Sequence, residues 1–158
     1  EKMANEFNAN DIFEIAVKIE QNGAIFYRDA AKLLENEDHK QFLLELAKME
    51  DDHEKTFAAM QKQLTDKEAF SSTFDPGDEN VLYLKALADT RVFFEKDKPE
   101  SNFQGILGAA IQAEKDSIAF YLGMKELVPL KLGQSKINDI IKEEMSHIRI
   151  LAGKLMEY

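Results

Sequence analysis

Two copies of one pattern, 94 residues apart, constrain this chain more than any other feature. The first reads Glu20…Phe26-Tyr27…Glu50-x-x-His53 and the second Glu114…Phe120-Tyr121…Glu144-x-x-His147. Each keeps 30 residues from the first Glu to the second, and three more to the His. A spacing of three places Glu and His one above the other on a helix face. A helix can thereby offer a carboxylate and an imidazole to one metal ion. A lone Glu-x-x-His carries little weight in so acidic a chain; the second copy in register is what matters. Ile12/Ile106, Ala16/Ala110, Leu33/Leu127 and Ala58/Ala152 coincide at the same offset. The pattern is that of a duplicated helical hairpin.

The apolar spacing supports it. Asn8-Ala9-Asn10-Asp11 supplies capping side chains before Ile12, Ile15, Ala16, Ile19, Gly23, Phe26, Ala30, Leu33 and Leu34, which recur at three- and four-residue steps. A second helix carries Phe42, Leu43, Leu46, Met49, Phe57, Met60 and Leu64, with Glu50 and His53 on the same side. Asp51, Asp52 and Glu54 read as its wet face, and His39 as a surface residue. Asp75-Pro76-Gly77 marks a turn, and Val81, Leu82, Leu84, Leu87 and Ala88, with Phe93-Phe94, suggest a helix inside a crossover. Ser101 and Gln104 fit a capping box for a third long helix through Ile106, Leu107, Ala110, Ile111, Ile118, Tyr121 and Leu122, with Gly105, Gly108 and Ala109 offering close packing. Ser135 is placed to cap a fourth, carrying Ile137, Ile140, Ile141, Ile148, Leu151 and Leu155. The expectation is an all-α antiparallel four-helix bundle, a single domain over 1–158. Hairpins 9–64 and 101–158 flank a long, partly helical crossover over 65–100.

Composition narrows the function classes. With 158 residues the chain can bury a real core. A net charge of −10 disfavours nucleic acid and anionic membrane as partners, and no apolar run approaches a bilayer span. Cysteine is absent, which removes disulfides, zinc-thiolate sites, thiol catalysis and Cys-ligated iron–sulfur centres. No secretion signal is visible, so a cytoplasmic location is the default expectation.

Glu20, Glu50, Glu114 and Glu144 fall on or beside apolar stripes, well inside their helices, where they can meet at one level of the core. Four buried carboxylates repel one another or take up protons unless something neutralises them. Two divalent cations would cancel four negative charges; one would leave about two uncompensated. Oxygen-rich ligation with two imidazoles suits iron or manganese better than a structural zinc site, although zinc can replace either in recombinant protein.

This constellation resembles the ferritin-like superfamily of carboxylate-bridged di-iron proteins, with all six shared ligand positions matched. The Phe-Tyr pair after each first Glu makes it most similar to the rubrerythrin-like branch. The resemblance implies a ferritin-like bundle holding two iron ions, with Glu50 and Glu144 bridging, Glu20 and Glu114 terminal, and His53 and His147 on one metal each. It implies that Tyr27 and Tyr121 hydrogen-bond near the metals, where the ordinary alternative is core packing. It also implies that the residue before a ligating Glu orients the opposite histidine. Glu143 could do this for His53, whereas Met49 could not for His147.

Two departures stand out. The four-cysteine rubredoxin-like domain of typical rubrerythrin is missing, so electrons would come from a separate donor. Ser117 stands where typical rubrerythrin has an additional Glu, which puts peroxide reduction in doubt and leaves a six-ligand set like that of bacterioferritin. Against a bacterioferritin-type cage, eleven residues after His147 leave no room for the short fifth helix of those shells. The implied function is oxidation of Fe(II) with O2 or H2O2, as a peroxidase or ferroxidase in oxidative-stress defence. The rivals are iron binding or storage without turnover, and a structural bundle with inherited ligands. The family often forms homodimers.

Overall fold

Helix starts are set by short polar side chains. In the computed structural model, which describes residues 7–64, 75, 77–90, 102–128 and 133–158, Asn8 opens helix α1 (Ala9–Lys32) through a reciprocal capping box. Its side chain accepts from the Asp11 amide at 2.9 Å, and Asp11 accepts from the Asn8 amide at 3.0 Å. Asn36 likewise accepts from the His39 amide at 3.1 Å and starts α2 (Glu37–Lys62). Asp78 caps the short α3 (Glu79–Asp89) through the Asn80 amide. The remaining long helices are α4 (Phe103–Leu127) and α5 (Gln134–Leu155).

Two expected caps differ. The α4 cap is Asn102, whose side chain accepts from the Gly105 amide at 2.7 Å; Ser101 of the expected Ser101/Gln104 box lies outside the described residues. α5 begins one residue before Ser135, because Gly133 occupies the N-cap with a φ of 102°, a backbone region that glycine enters without penalty. Ser135 therefore sits inside the first turn. Phe93-Phe94 and most of the 65–100 crossover also lie outside the described residues.

The long helices number 24, 26, 25 and 22 residues. α1 packs on α2, α4 on α5, α1 on α4, and the crossover helix α3 on α4. Short connections between such long, packed partners require each hairpin to be antiparallel. The architecture is the all-helical bundle expected. Among the described residues, no helix is long and apolar enough to cross a membrane.

The apolar core is divided in two. One cluster gathers Ile12, Phe13, Phe57, Met60, Leu84, Phe120 and Ile137. The other gathers Phe26, Ala30, Leu43, Leu46, Ile106, Leu107 and Leu151. Along every long helix the buried acid falls between the two: Glu20 between Ile19 and Phe26, Glu50 between Ala47 and Phe57, Glu114 between Ala110 and Phe120, Glu144 between Ile141 and Leu151. The bundle thus consists of two hydrophobic lobes with a polar layer between them.

Some stripe positions expected inside are exposed. Leu33 sits at the α1 C-cap and Leu122 on the outer side of α4, while Leu82 and Met49 are also well exposed. A three-to-four-residue stripe has edges, and these residues lie on them. His39, expected at the surface, is half-buried with its ring stacked 3.8 Å from Phe103. Asp51 and Glu54 are not simply solvated: Asp51 pairs with Arg28 and Glu54 accepts from Gln21 at 2.9 Å, both lacing α2 to α1.

The close-packing glycine is also a different one. A Cβ at Gly108 would meet nothing within 4 Å, whereas one at Gly123 would lie 2.9 Å from both the Leu84 and Tyr83 side chains of α3. Tyr83 adds a hydrogen bond from its hydroxyl to the Ala119 carbonyl at 2.7 Å. Gly123 is therefore where the crossover docks. Gly123→Val should lose about 2 kcal/mol of stability from overpacking. Urea denaturation measures it, and an unchanged midpoint and slope would show that the α3–α4 contact yields freely.

Candidate metal centre

α1 and α4 each bring one carboxylate to the polar layer, and α2 and α5 each bring a Glu and a His one turn apart. All six sequence-predicted residues are buried and meet there. They form two overlapping groups. Glu20, Glu50, His53 and Glu144 make one, and Glu50, Glu114, Glu144 and His147 the other, each with donor atoms within 4.8 Å of one another. Glu50 and Glu144 belong to both. The two imidazoles lie nearly parallel with centroids 5.9 Å apart.

The inward-facing atoms have no partners of their own. His53 Nδ1 lies 2.8 Å from Glu144 Oε1 and 3.7 Å from Glu20 Oε2. His147 Nδ1 lies 3.4 Å from Glu50 Oε1 and 3.5 Å from Glu114 Oε2. None of these approaches has hydrogen-bond alignment. Among the described residues, the buried side-chain N and O atoms lacking a hydrogen bond are seven, and all seven belong to these six residues. A buried polar group left unpaired costs about 1–3 kcal/mol, more when charged. Here the lone pairs converge on shared space instead of on each other, as donors around cations do. The donor set, four carboxylates and two imidazoles, fits a pair of hard or borderline divalent cations.

The outward-facing atoms are held from across the bundle. Tyr121 donates from its hydroxyl to Glu20 Oε1 at 2.7 Å, and Tyr27 donates to Glu114 Oε1 at 2.8 Å. Each tyrosine thus serves the other hairpin's acid, leaving that acid's Oε2 free to face the centre. Both phenols are buried, so the packing role and the hydrogen-bonding role coincide. His53 Nε2 meets Glu143 Oε2 at 2.5 Å, the contact expected of Glu143. Met49 Sδ approaches His147 Nε2 at 3.2 Å, so an uncharged thioether stands where the other hairpin has a carboxylate. Ser117 turns its hydroxyl to the Ala113 carbonyl at 3.1 Å. Gly23 borders the layer: a Cβ there would lie 3.5 Å from the Glu50 carboxyl, an ordinary contact distance, so the site does not require a glycine at that position.

Burial and mutual repulsion set the protonation. Desolvation, with the charges of Glu20, Glu144 and Glu114 added, raises Glu50 well above the ordinary carboxylate range. Glu144 is raised in the same way by burial and by Glu20 and Glu114. Burial also opposes ionisation of Glu114, but its Glu144 and His147 neighbours overcome it and hold that group at about 2. His53 is lowered by burial and raised more strongly by Glu20 and Glu143, for a net rise. Burial and the adjacent carboxylates raise Tyr27 and Tyr121, which keeps them as donors.

The site opens outward on its histidine side. A cleft of about 180 Å3 between α2 and α5 is lined by Met49, Asp52, His53, Glu143, Ser146, His147 and Ile150. It gives small molecules a path toward the imidazole edges.

A family model described as Rubrerythrin matches residues 11–89, which carry Glu20, Glu50 and His53. Among solved structures, the chain is similar to one from Thermotoga maritima described as a ferritin-like diiron-carboxylate protein. The two share 25% identity over 96% of this chain and 97% of that one, with a TM-score of 0.69. No curated protein sequence matches the chain.

The raised carboxyls make a pH prediction. Above the ordinary carboxylate range these groups are ionised in the unfolded chain, whereas the upward shifts of Glu50 and Glu144 keep more protons on them in the metal-free fold. Folding then takes up protons, so metal-free stability falls as pH rises, by about 1.4 kcal/mol per unit for each retained proton. His53 adds the same sign above its ordinary value, and Glu114, ionised in both states, adds none. Cation-loaded protein should lose this slope. Urea titrations of both forms above that range measure it; metal-free stability that held level or rose with pH would contradict the account.

Proposed function

Because the chain belongs to the rubrerythrin family, we propose that its polar layer holds two iron ions and that the protein oxidises Fe(II) with O2 or hydrogen peroxide. The observation that carries this reading is the set of seven unpartnered buried donor atoms, confined to six residues in two overlapping groups. The likeness to a protein described as diiron-carboxylate over nearly the full length supports it. Glu20 and His53 would hold one ion and Glu114 and His147 the other, with Glu50 and Glu144 shared.

Bound iron would supply the one-electron chemistry that no side chain here can. The residues do the rest. Tyr121 and Tyr27 fix the rotamers of Glu20 and Glu114, so one oxygen of each stays aimed inward. The two apolar lobes exclude bulk water from above and below. The cleft beside His53 and His147 gives a small oxidant such as O2 or H2O2 a route to the imidazole side of the centre. These 158 residues contain no cysteine, and electrons would arrive at the centre from a donor outside this bundle.

A second reading, iron binding without significant turnover, draws on Ser117. Its hydroxyl is committed to the Ala113 carbonyl and adds nothing to the donor set.

Elemental analysis of protein made with iron supplied, and never exposed to chelator, should find close to two irons per chain. Glu50→Ala and Glu144→Ala should each abolish tight binding of the pair, because each removes a shared ligand. Retention of two metals at unchanged affinity in either variant would refute the bridging assignment. Reoxidation of the reduced protein by peroxide, through several turnovers with a donor present, separates the oxidase from the storage reading; a single stoichiometric oxidation would favour storage.

A further inference from the structure

The two halves of the centre match at every contact on its tyrosine side. The terminal acids receive phenol hydrogen bonds of 2.7 and 2.8 Å, and each half contributes one terminal Glu, one shared Glu and one His through Nδ1. The match fails on the histidine side. Position 143 precedes the shared Glu144 and meets His53; its counterpart at the 94-residue offset, position 49, precedes the shared Glu50 and meets His147. One is a carboxylate at 2.5 Å, the other a thioether sulfur at 3.2 Å.

The difference reaches the inward nitrogen. An imidazole that offers Nδ1 to a cation carries its proton on Nε2, and a carboxylate accepting that proton fixes the ring and makes Nδ1 a better donor. A thioether is a weak acceptor and carries no charge. Outer partners of this kind change metal affinity by about 10–100-fold. Glu143 is well exposed, with 61% of its side chain accessible, so water weakens its influence without removing the short contact. Met49 is itself 42% exposed in the same cleft, so nothing forces a sulfur on that position.

We propose that the two cation positions are inequivalent: the Glu20/His53 position fills first and holds its ion more tightly, with Glu143 as its positioning residue. The Glu114/His147 position, backed by Met49, is the one that fills last and empties first. This rests on the dinuclear reading above. It makes the position beside Met49 the exchangeable one, suited to taking up and releasing Fe(II) as substrate.

The three histidines of the chain make the test direct. Metal-free protein with 15N-labelled histidine is titrated with Zn(II), a diamagnetic probe, while the ring nitrogens are followed by NMR. The His53 Nδ1 resonance should move during the first equivalent and that of His147 during the second, with His39 unmoved throughout. Repulsion between two cations makes any second ion weaker, so the order of filling decides, together with two exchanges at the cleft. Met49→Glu should strengthen the late position about 10–100-fold and abolish the order. Glu143→Met should abolish the order by weakening the early one, and Glu143→Gln, which keeps an acceptor, should restore part of it. Parallel movement of both rings from the first addition, or His147 moving first, would overturn the inequivalence while leaving the dinuclear reading intact. Failure of Zn(II) to move either ring in folded protein would overturn the dinuclear reading itself, and the proposal with it.

Discussion

Burying four carboxylates in one apolar bundle is the constraint from which the rest of this structure follows. A single ionised carboxylate in a dry interior is expensive, and four within contact distance repel as well. Without cations, burial and mutual repulsion favour the protonated forms of Glu50 and Glu144, the two acids at its centre. With cations the same oxygens can ionise. The layer is therefore a poor stabiliser and a strong selector. The two flanking lobes, anchored by residues such as Phe57, Phe120, Leu43 and Leu107, must hold the helices together against it. This accounts for helices of more than twenty residues in so short a chain. Each must run far enough past its acid in both directions to build a lobe.

The lobes alone would not fix where the oxygens point. That is done by hydrogen bonds exchanged between the hairpins, Tyr121 to Glu20 and Tyr27 to Glu114. Neither hairpin satisfies its own terminal acid, so neither can orient its ligands without the other. The same crossing occurs where Glu143 of α5 meets His53 of α2. Half of the pattern is thus a fragment of a site, and the duplication is a requirement of the chemistry as well as of the packing.

Legibility in the sequence tracked how local the governing physics is. The four long helices and the meeting of the six residues followed from periodicity and from one repeated offset, since a rigid helix converts spacing directly into a face. Helix starts were harder. Asn102 caps α4 through its own side chain, and Ser135 falls inside the first turn of α5 because the helix starts from Gly133, which has no side chain to cap with. Leu33 and Leu122 occupy the edges of their stripes, where a few degrees of rotation settle exposure. Gly108 and Gly123 are alike in sequence; only the path of α3, a tertiary fact, makes the second one necessary. Residue 49 reaches His147 for the same geometric reason that residue 143 reaches His53: each precedes a shared Glu on the helix facing the opposite histidine.

That last case shows which parts of a duplicated site are free to diverge. A ligand position is enforced by the buried charges around it: removing Glu50 or Glu144 would leave the remaining donors unbalanced in a medium that cannot screen them. Position 49 or 143 is enforced by much less. It lies at the rim of the cleft, partly in water, and acts on the cation only through the far nitrogen of a ring that Nδ1 already orients. On the proposed inequivalence, losing a carboxylate there would cost affinity at one ion and leave the fold standing. The interior of the polar layer is consequently symmetric and its rim is not, and a chain with two equivalent halves by sequence pattern can contain two unequal places for a metal.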